Sequence, residues 1–147
     1  MKQYTSKQLN EFSSLFSLVP SIAILDFNND KNITTFLNNL IEPFEGSVST
    51  VEFKSLTQIQ KDIKRSSYDY GVIVNNLSMS SDIKLRFKII SLGLRDSGYI
   101  IILENKQNSL DDIYNMLEEF DFGAISTIDI FDNYNLIMGK KLHMWGM

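Results

Sequence analysis

The stretch Ala124-Ile125-Ser126-Thr127-Ile128-Asp129-Ile130-Phe131-Asp132-Asn133-Tyr134-Asn135-Leu136-Ile137-Met138-Gly139-Lys140-Lys141 decides the fold. It holds two strand-like runs, residues 124–131 and 134–141, with Asp132 and Asn133 between them. Runs rich in β-branched and aliphatic residues, parted by such a pair, read as an antiparallel hairpin. Whatever sheet the preceding chain builds, this ending gives it an antiparallel edge.

Upstream, short apolar runs alternate with helical patterns. Residues 99–103 form the most apolar strand of the chain, with Gly98 marking a turn before it. A helix follows, carrying Ile113, Met116, Leu117 and Phe120, with Ser109 and Asp112 as its capping box. Before that strand, residues 80–95 repeat Ile83, Phe87, Ile90 and Leu94 at helical spacing. Residues 70–74 are a strand, and Leu56, Ile59 and Ile63 mark a helix opened by Ser55 with Gln58. Residues 48–53 alternate as a strand does. Ile33, Phe36, Leu37, Leu40 and Ile41 mark another helix. Residues 22–27 are short and apolar, as a buried parallel strand is. Residues 5–19 read as an amphipathic helix with Leu9, Phe12, Phe16 and Val19 on one stripe. Thr5 with Gln8 caps it, and Pro20 stops it.

The order is one helix, four βα units and a hairpin. It predicts an α/β fold: a three-layer, Rossmann-like sandwich with a mostly parallel sheet, helices on both faces and an antiparallel C-terminal edge hairpin. Such a sheet leaves a ligand crevice at the carboxyl ends of its strands.

Composition narrows the function classes. The 147 residues fit one domain spanning 1–147, with no repeat or linker. There is no cysteine, so disulfides and thiolate metal sites are excluded, and the one histidine, His143, disfavours a multi-histidine metal site. The net charge of -4 gives no general attraction to nucleic acid. Residues 1–10 are polar, without a signal-peptide core. No apolar run approaches the ~20 residues of a membrane span. The expectation is a cytoplasmic protein without metal.

Three stretches resemble class I S-adenosylmethionine-dependent methyltransferases, a Rossmann-like family whose seventh strand runs antiparallel. Tyr68-Asp69-Tyr70-Gly71-Val72-Ile73-Val74-Asn75-Asn76-Leu77 is similar to the family's fourth strand and the loop after it. Leu92-Gly93-Leu94-Arg95-Asp96-Ser97-Gly98-Tyr99-Ile100-Ile101-Ile102-Leu103-Glu104 resembles the turn into the fifth strand. Met116-Leu117-Glu118-Glu119-Phe120-Asp121-Phe122-Gly123 and the hairpin resemble the last helix and final strands. The resemblance implies an S-adenosylmethionine site built from Asp26, Asn28, Asp30, Glu52, Asn75 and Asn76. In it Asp26 and Glu52 would hold the cofactor, and the loop with Asn75 would lie beside the substrate.

Departures from the family stand beside the likeness. The family's cofactor loop is glycine-rich, because glycine lets the backbone turn sharply and approach a ligand. Here Ile24-Leu25-Asp26-Phe27-Asn28-Asn29-Asp30-Lys31 has no glycine. One βα unit after the second strand is missing. No general base stands out, so no catalytic residue is assigned. These departures point to a non-catalytic module that binds a ligand or a protein, with an active methyltransferase as the alternative. Asp26, Asp30, Asp69 and Asn75 also resemble the pattern of response-regulator receivers, with Asn75 in place of the phosphorylated aspartate. A receiver, however, ends in a helix.

Each candidate has a plainer role too. Asp26 can cap the next helix or accept loop N–H groups. Asn75, Asn76 and Met79 can form a polar turn. Lys84, Lys88 and Arg95 share a stripe that can face solvent, and Asp111, Asp112, Glu118, Glu119 and Asp121 read as an exposed acidic face. Trp145 and Met147 suit a tail that docks, so a homodimer through the hairpin and tail is expected.

Overall fold

The computed structural model describes residues 4–27, 30–51, 56–74, 83–107 and 109–142. In chain order the elements are α1 (Ser6–Ser13), β1 (Ala23–Phe27), α2 (Lys31–Ile41), a 3-10 turn (Glu42–Phe44) and β2 (Ser47–Thr50). They continue as α3 (Leu56–Asp62), β3 (Tyr68–Val74), α4 (Ile83–Gly93), β4 (Leu94–Asn105), α5 (Asp111–Glu119), β5 (Phe122–Ile128) and β6 (Tyr134–Lys141). The six strands form one sheet in the order β2-β1-β3-β4-β6-β5. β2, β1, β3 and β4 are parallel, whereas β6 runs antiparallel to both β4 and β5. This is the α/β sandwich that the order of elements implies, and the C-terminal hairpin overturns the receiver-like alternative.

Alternation along the strands fills both faces. Ile24, Val72, Ile101 and Leu103 pack with Phe12 and Phe16 and with Ile33, Leu37 and Ile41 of α2. Leu25, Ile73, Ile100 and Ile102 pack with Ile59 of α3, Phe87 and Ile90 of α4, and Ile113 and Leu117 of α5. β1, β3 and β4 are covered on both sides, which is why they read as continuous apolar runs. Among the described residues no helix is long and apolar enough to cross a membrane.

Several boundaries differ from the sequence reading. The first helix ends at Ser13 instead of running to residue 19. Beyond it the pattern tightens, with Leu15 N–H donating to the Phe12 carbonyl and Phe16 N–H to that of Ser13, while the Ser13 and Ser14 hydroxyls donate to the carbonyls of Asn10 (2.7 Å) and Glu11 (2.6 Å). The Thr5–Gln8 capping box is present as read. Ser109 does not cap α5: Leu110 holds the cap position, and Ser109 Oγ accepts the Asp111 N–H at 3.3 Å. β2 stops at Thr50, and residues 52–55 lie outside the described residues.

Helix α4 ends at Gly93, so Arg95 leaves the stripe of Lys84 and Lys88. Arg95 lies in β4 and pairs with Asp69 at 2.8 Å. β4 starts five residues before the expected run because Tyr68 pairs with Leu94 while Tyr70 pairs with Tyr99. The excess chain is absorbed at Ser97, with φ 68°, and Gly98. A Cβ at Gly98 would stand 2.9 Å from the Arg95 carbonyl and 3.0 Å from that of Asp69, so only glycine fits there. The hairpin strands are parted by residues 129–133, not by Asp132 and Asn133 alone. Ile130 and Phe131 leave the ladder to be buried against the α1–α2 side of the sheet.

Phe12 is the hinge of that layer. It is fully buried, and its ring lies 5.5 Å from Phe16, 5.5 Å from Phe36 and 5.4 Å from Phe131. Phe12→Ala is expected to lower stability by about 3–5 kcal/mol, a large part of a typical domain's total. Val19→Ala, at a side chain 47% exposed, serves as the near-neutral control. Urea unfolding of the two variants beside the parent chain measures both.

Candidate functional site

Four parallel strands bring their carboxyl ends to one rim of the sheet. Asp26 and Phe27 end β1, Thr50 ends β2, Val74 ends β3, and Glu104 and Asn105 end β4. Tyr134 pairs with Asn105 and so enters the same rim from β6. The first turn of α2 stands above β1. Of the expected ligand-binding residues, Asp26 and Asp30 are described and lie close together at this rim. Asn28, Glu52, Asn75 and Asn76 lie outside the described residues, as do Ser55, Met79, His143, Trp145 and Met147.

Asp26 is fully buried. Its Oδ2 accepts the hydroxyl of Thr34 at 2.6 Å and that of Thr50 at 3.1 Å. One carboxylate thereby fastens β1 to α2 and to β2, while its backbone oxygen accepts the Val51 N–H at 2.8 Å. Oδ1 has no hydrogen-bond partner among the described residues. Burial pushes the carboxyl above its ordinary range, opposed by the two threonine hydroxyls and helped by the nearby charge of Asp30. Its bonds are to threonines within the fold.

Asp30 is the N-cap of α2. Its Oδ1 accepts the N–H groups of Asn32 (3.0 Å) and Ile33 (3.3 Å). Its Oδ2 accepts the hydroxyls of Tyr4 (2.6 Å) and Tyr134 (3.3 Å). Burial, then the bond to Asp30, raises the Tyr4 phenol far above its ordinary value. Tyr134 is raised by burial and by the Asp30 charge. Both phenols therefore stay protonated at ordinary pH and remain donors. The Tyr4 ring meets Phe131 edge-on at 4.9 Å, and Phe131 meets Tyr134 at 6.4 Å. The N-terminal segment and the hairpin are thus tied together over the start of α2.

The sequence reading missed Tyr4, Thr34, Thr50 and Tyr134. No spacing rule links positions so far apart, and tertiary contact alone assembles them. Glu104 carried a signal, an acid directly after the most apolar run, and it is fully buried. It does not join Asp26. Asp26 shares its strand face with Ile24 of the α1–α2 core, whereas Glu104 shares its face with Ile102 of the opposite core.

Beside the rim, Tyr4, Leu9, Asn32, Thr35, Phe36 and Asn39 line a groove of about 360 Å³. The volume is within the range of small-ligand sites. The lining holds amides, a hydroxyl and aromatic rings, with no charged side chain among these six.

The raised pKa of Asp26 fixes a pH dependence. Its folded value lies above its unfolded value, so between the two the native state binds more protons. Stability therefore falls as pH rises through that interval and stays lower above it. Asp26→Asn, which keeps an acceptor for both threonines, is expected to flatten this slope and to raise the midpoint at neutral pH by a few degrees. Thermal unfolding from pH 4 to 8 is the measurement, and a variant slope equal to the parent's would refute the assignment.

No family model matches the sequence, and no curated protein does. Solved structures do match. The chain is similar to a SAM-dependent methyltransferase from Aquifex aeolicus, with 10% identity and a TM-score of 0.68 over 91% of this chain and 89% of that one. It is similar to a SAM-dependent O-methyltransferase from Thermotoga maritima, with 9% identity and a TM-score of 0.71 over 100% of this chain and 69% of that one. It is also similar to phosphoethanolamine N-methyltransferase 2 from Haemonchus contortus, with 12% identity and a TM-score of 0.69 over 92% of this chain and 52% of that one. Identities this low speak for the fold alone. With its parallel sheet, antiparallel edge hairpin and helices on both faces, the chain has the class I methyltransferase-like fold.

Proposed function

We propose that this chain is a non-catalytic methyltransferase-like module that binds a ligand or a protein partner instead of transferring a methyl group. The observation that carries the reading is the Asp30 carboxylate at the start of α2. A helix N-terminus after the first strand of such a sheet is a natural seat for a ligand's anionic group, through free N–H donors and the helix dipole. Here the N–H groups of Asn32 and Ile33 already bond to Asp30. S-adenosylmethionine carries a carboxylate, and at this place it would meet another carboxylate, held by two phenols. Asp26 is sealed beneath. The described residues do not fit that end of the cofactor, so no methyl-transfer step is derived for this chain. The neutral groove between α1 and α2 is the place this reading offers to an uncharged ligand.

A second reading is an active methyltransferase with a divergent loop. Its support is the fold shared with SAM-dependent enzymes, which makes S-adenosylmethionine the first ligand to test. A ligand at 100 times its dissociation constant stabilises a fold by about 2.7 kcal/mol. For a chain of this size that is a rise of roughly 5–11 °C in the thermal midpoint. The expected result is no rise with millimolar S-adenosylmethionine or S-adenosylhomocysteine. A clear rise, abolished in Asp30→Lys, would replace the first reading with the second.

A further inference from the structure

The two edges of the sheet are unlike. β5 closes one side, and its register against β6 shifts between Gly123 and Ser126, with Ala124 held at φ 49°. Such a bulge turns an edge away from further pairing. β2 closes the other side. Its register against β1 runs without a shift from Ala23 opposite Ser47 to Asp26 opposite Thr50. Residues 47–51, Ser-Val-Ser-Thr-Val, hold no charged residue and no proline. The charge, proline or bulge that commonly guards an edge is absent from them.

The hydrogen bonds of β2 tell which of its groups are left over. The N–H of Ser47 donates to the Ile22 carbonyl at 2.9 Å, and that of Val51 to the Asp26 carbonyl at 2.8 Å. Along a strand the backbone groups turn to alternate sides residue by residue. Positions 47, 49 and 51 therefore address β1, and the N–H and C=O of Val48 and Thr50 point away from the sheet. Among the described residues no strand pairs with them. The likeness noted in the sequence lacks one βα unit after the second strand. A strand following β2 could pair beside it only on this side, because β1 holds the other and pairs in turn with β3. The open edge is where that unit would lie.

This edge is its own complement. We propose that a second copy of the chain lays its β2 antiparallel to this one, across a two-fold axis between the two Ser49 residues, and joins two six-stranded sheets into one. With Ser49 opposite its mate, Val48 stands opposite Thr50 of the other copy. That is a hydrogen-bonded pair, which exchanges both N–H···O bonds, and the axis repeats it on its other side. Every outward donor and acceptor of the two residues is thereby matched. Thr50 contributes only its backbone, so its hydroxyl stays on Asp26. Val48 beside Thr50 sets two β-branched side chains together, a favourable cross-strand pair. The two Ser49 residues form a non-hydrogen-bonded pair, where Cα atoms approach to about 4.5 Å, and a side chain as small as serine leaves room for it. Residues 47–51 are uncharged, so the axis sets no like charges against each other within them.

Light scattering of the full chain across a concentration series tests the proposal. The parent is expected to reach twice the mass of one chain. Val48→Pro removes an N–H that no described residue accepts, so it should keep a parent-like thermal midpoint and remain at single mass. Ser49→Asp and Ser49→Lys, each facing its own copy at the axis, should be monomeric alone and should pair when mixed one to one. The chain has no cysteine, so Ser49→Cys carries the sole thiol. At this Cα separation it should form a disulfide-linked dimer under mild oxidation, whereas Ser126→Cys on the β5 edge should not. A parent that stays monomeric at every concentration overturns the proposal. So does a dimer that both Val48→Pro and Ser49→Asp leave intact, or one that is linked through Ser126→Cys and not through Ser49→Cys, which would put the contact on the hairpin edge.

Discussion

The Asp30 carboxylate is the constraint on which the functional end of the molecule depends. It gathers two backbone N–H groups and two phenolic hydroxyls. The phenols come from positions 26 and 104 residues away in sequence. A helix start leaves N–H groups without intrahelical partners, and something must satisfy them. In this chain an internal carboxylate does so, and the hydroxyls of Tyr4 and Tyr134 donate to its other oxygen. Among the described residues of the rim, the start of α2 is thereby tied to Tyr4 and Tyr134.

Asp26 extends the same logic one layer down. Burying a carboxylate is unfavourable unless hydrogen bonds replace water. Thr34 and Thr50 replace part of it, and in doing so tie a strand to its neighbouring strand and to the following helix. The two acids that flank the loop after β1 are therefore both engaged within the fold. Their bonds tie the loop after β1 to α2, to β2 and to the two tyrosines.

The opposite helical layer is organised differently. α1 and α2 cover one side of the sheet with aromatic contacts centred on Phe12. α3, α4 and α5 cover the other, with Phe87 of α4 meeting Phe120 and Phe122 among aliphatic side chains. Lys141 fastens that layer to the hairpin by donating to the carbonyls of Ser91 (2.8 Å), in the last turn of α4, and Leu94 (2.7 Å), at the start of β4.

Local pattern was enough for the order of elements. The apolar runs at residues 22–27, 70–74 and 99–103 are strands because burial on both faces forbids polar alternation. The i, i+4 stripe of Ile33, Leu37 and Ile41 is a helix because it has one core to face. The Thr5–Gln8 box was readable because a cap is formed by residues three apart. Tertiary structure alone decided the rest. α1 ended early where its bonds tightened to Phe12 and Ser13, and Phe131 left the hairpin ladder because a buried aromatic cluster claimed it. Asp26, to which the sequence also offered a helix-cap role, became a clamp on Thr34 and Thr50, and the cap fell to Asp30. Their partners are distant in the chain, and a hydrogen bond is fixed by proximity in space, which no spacing along the sequence records.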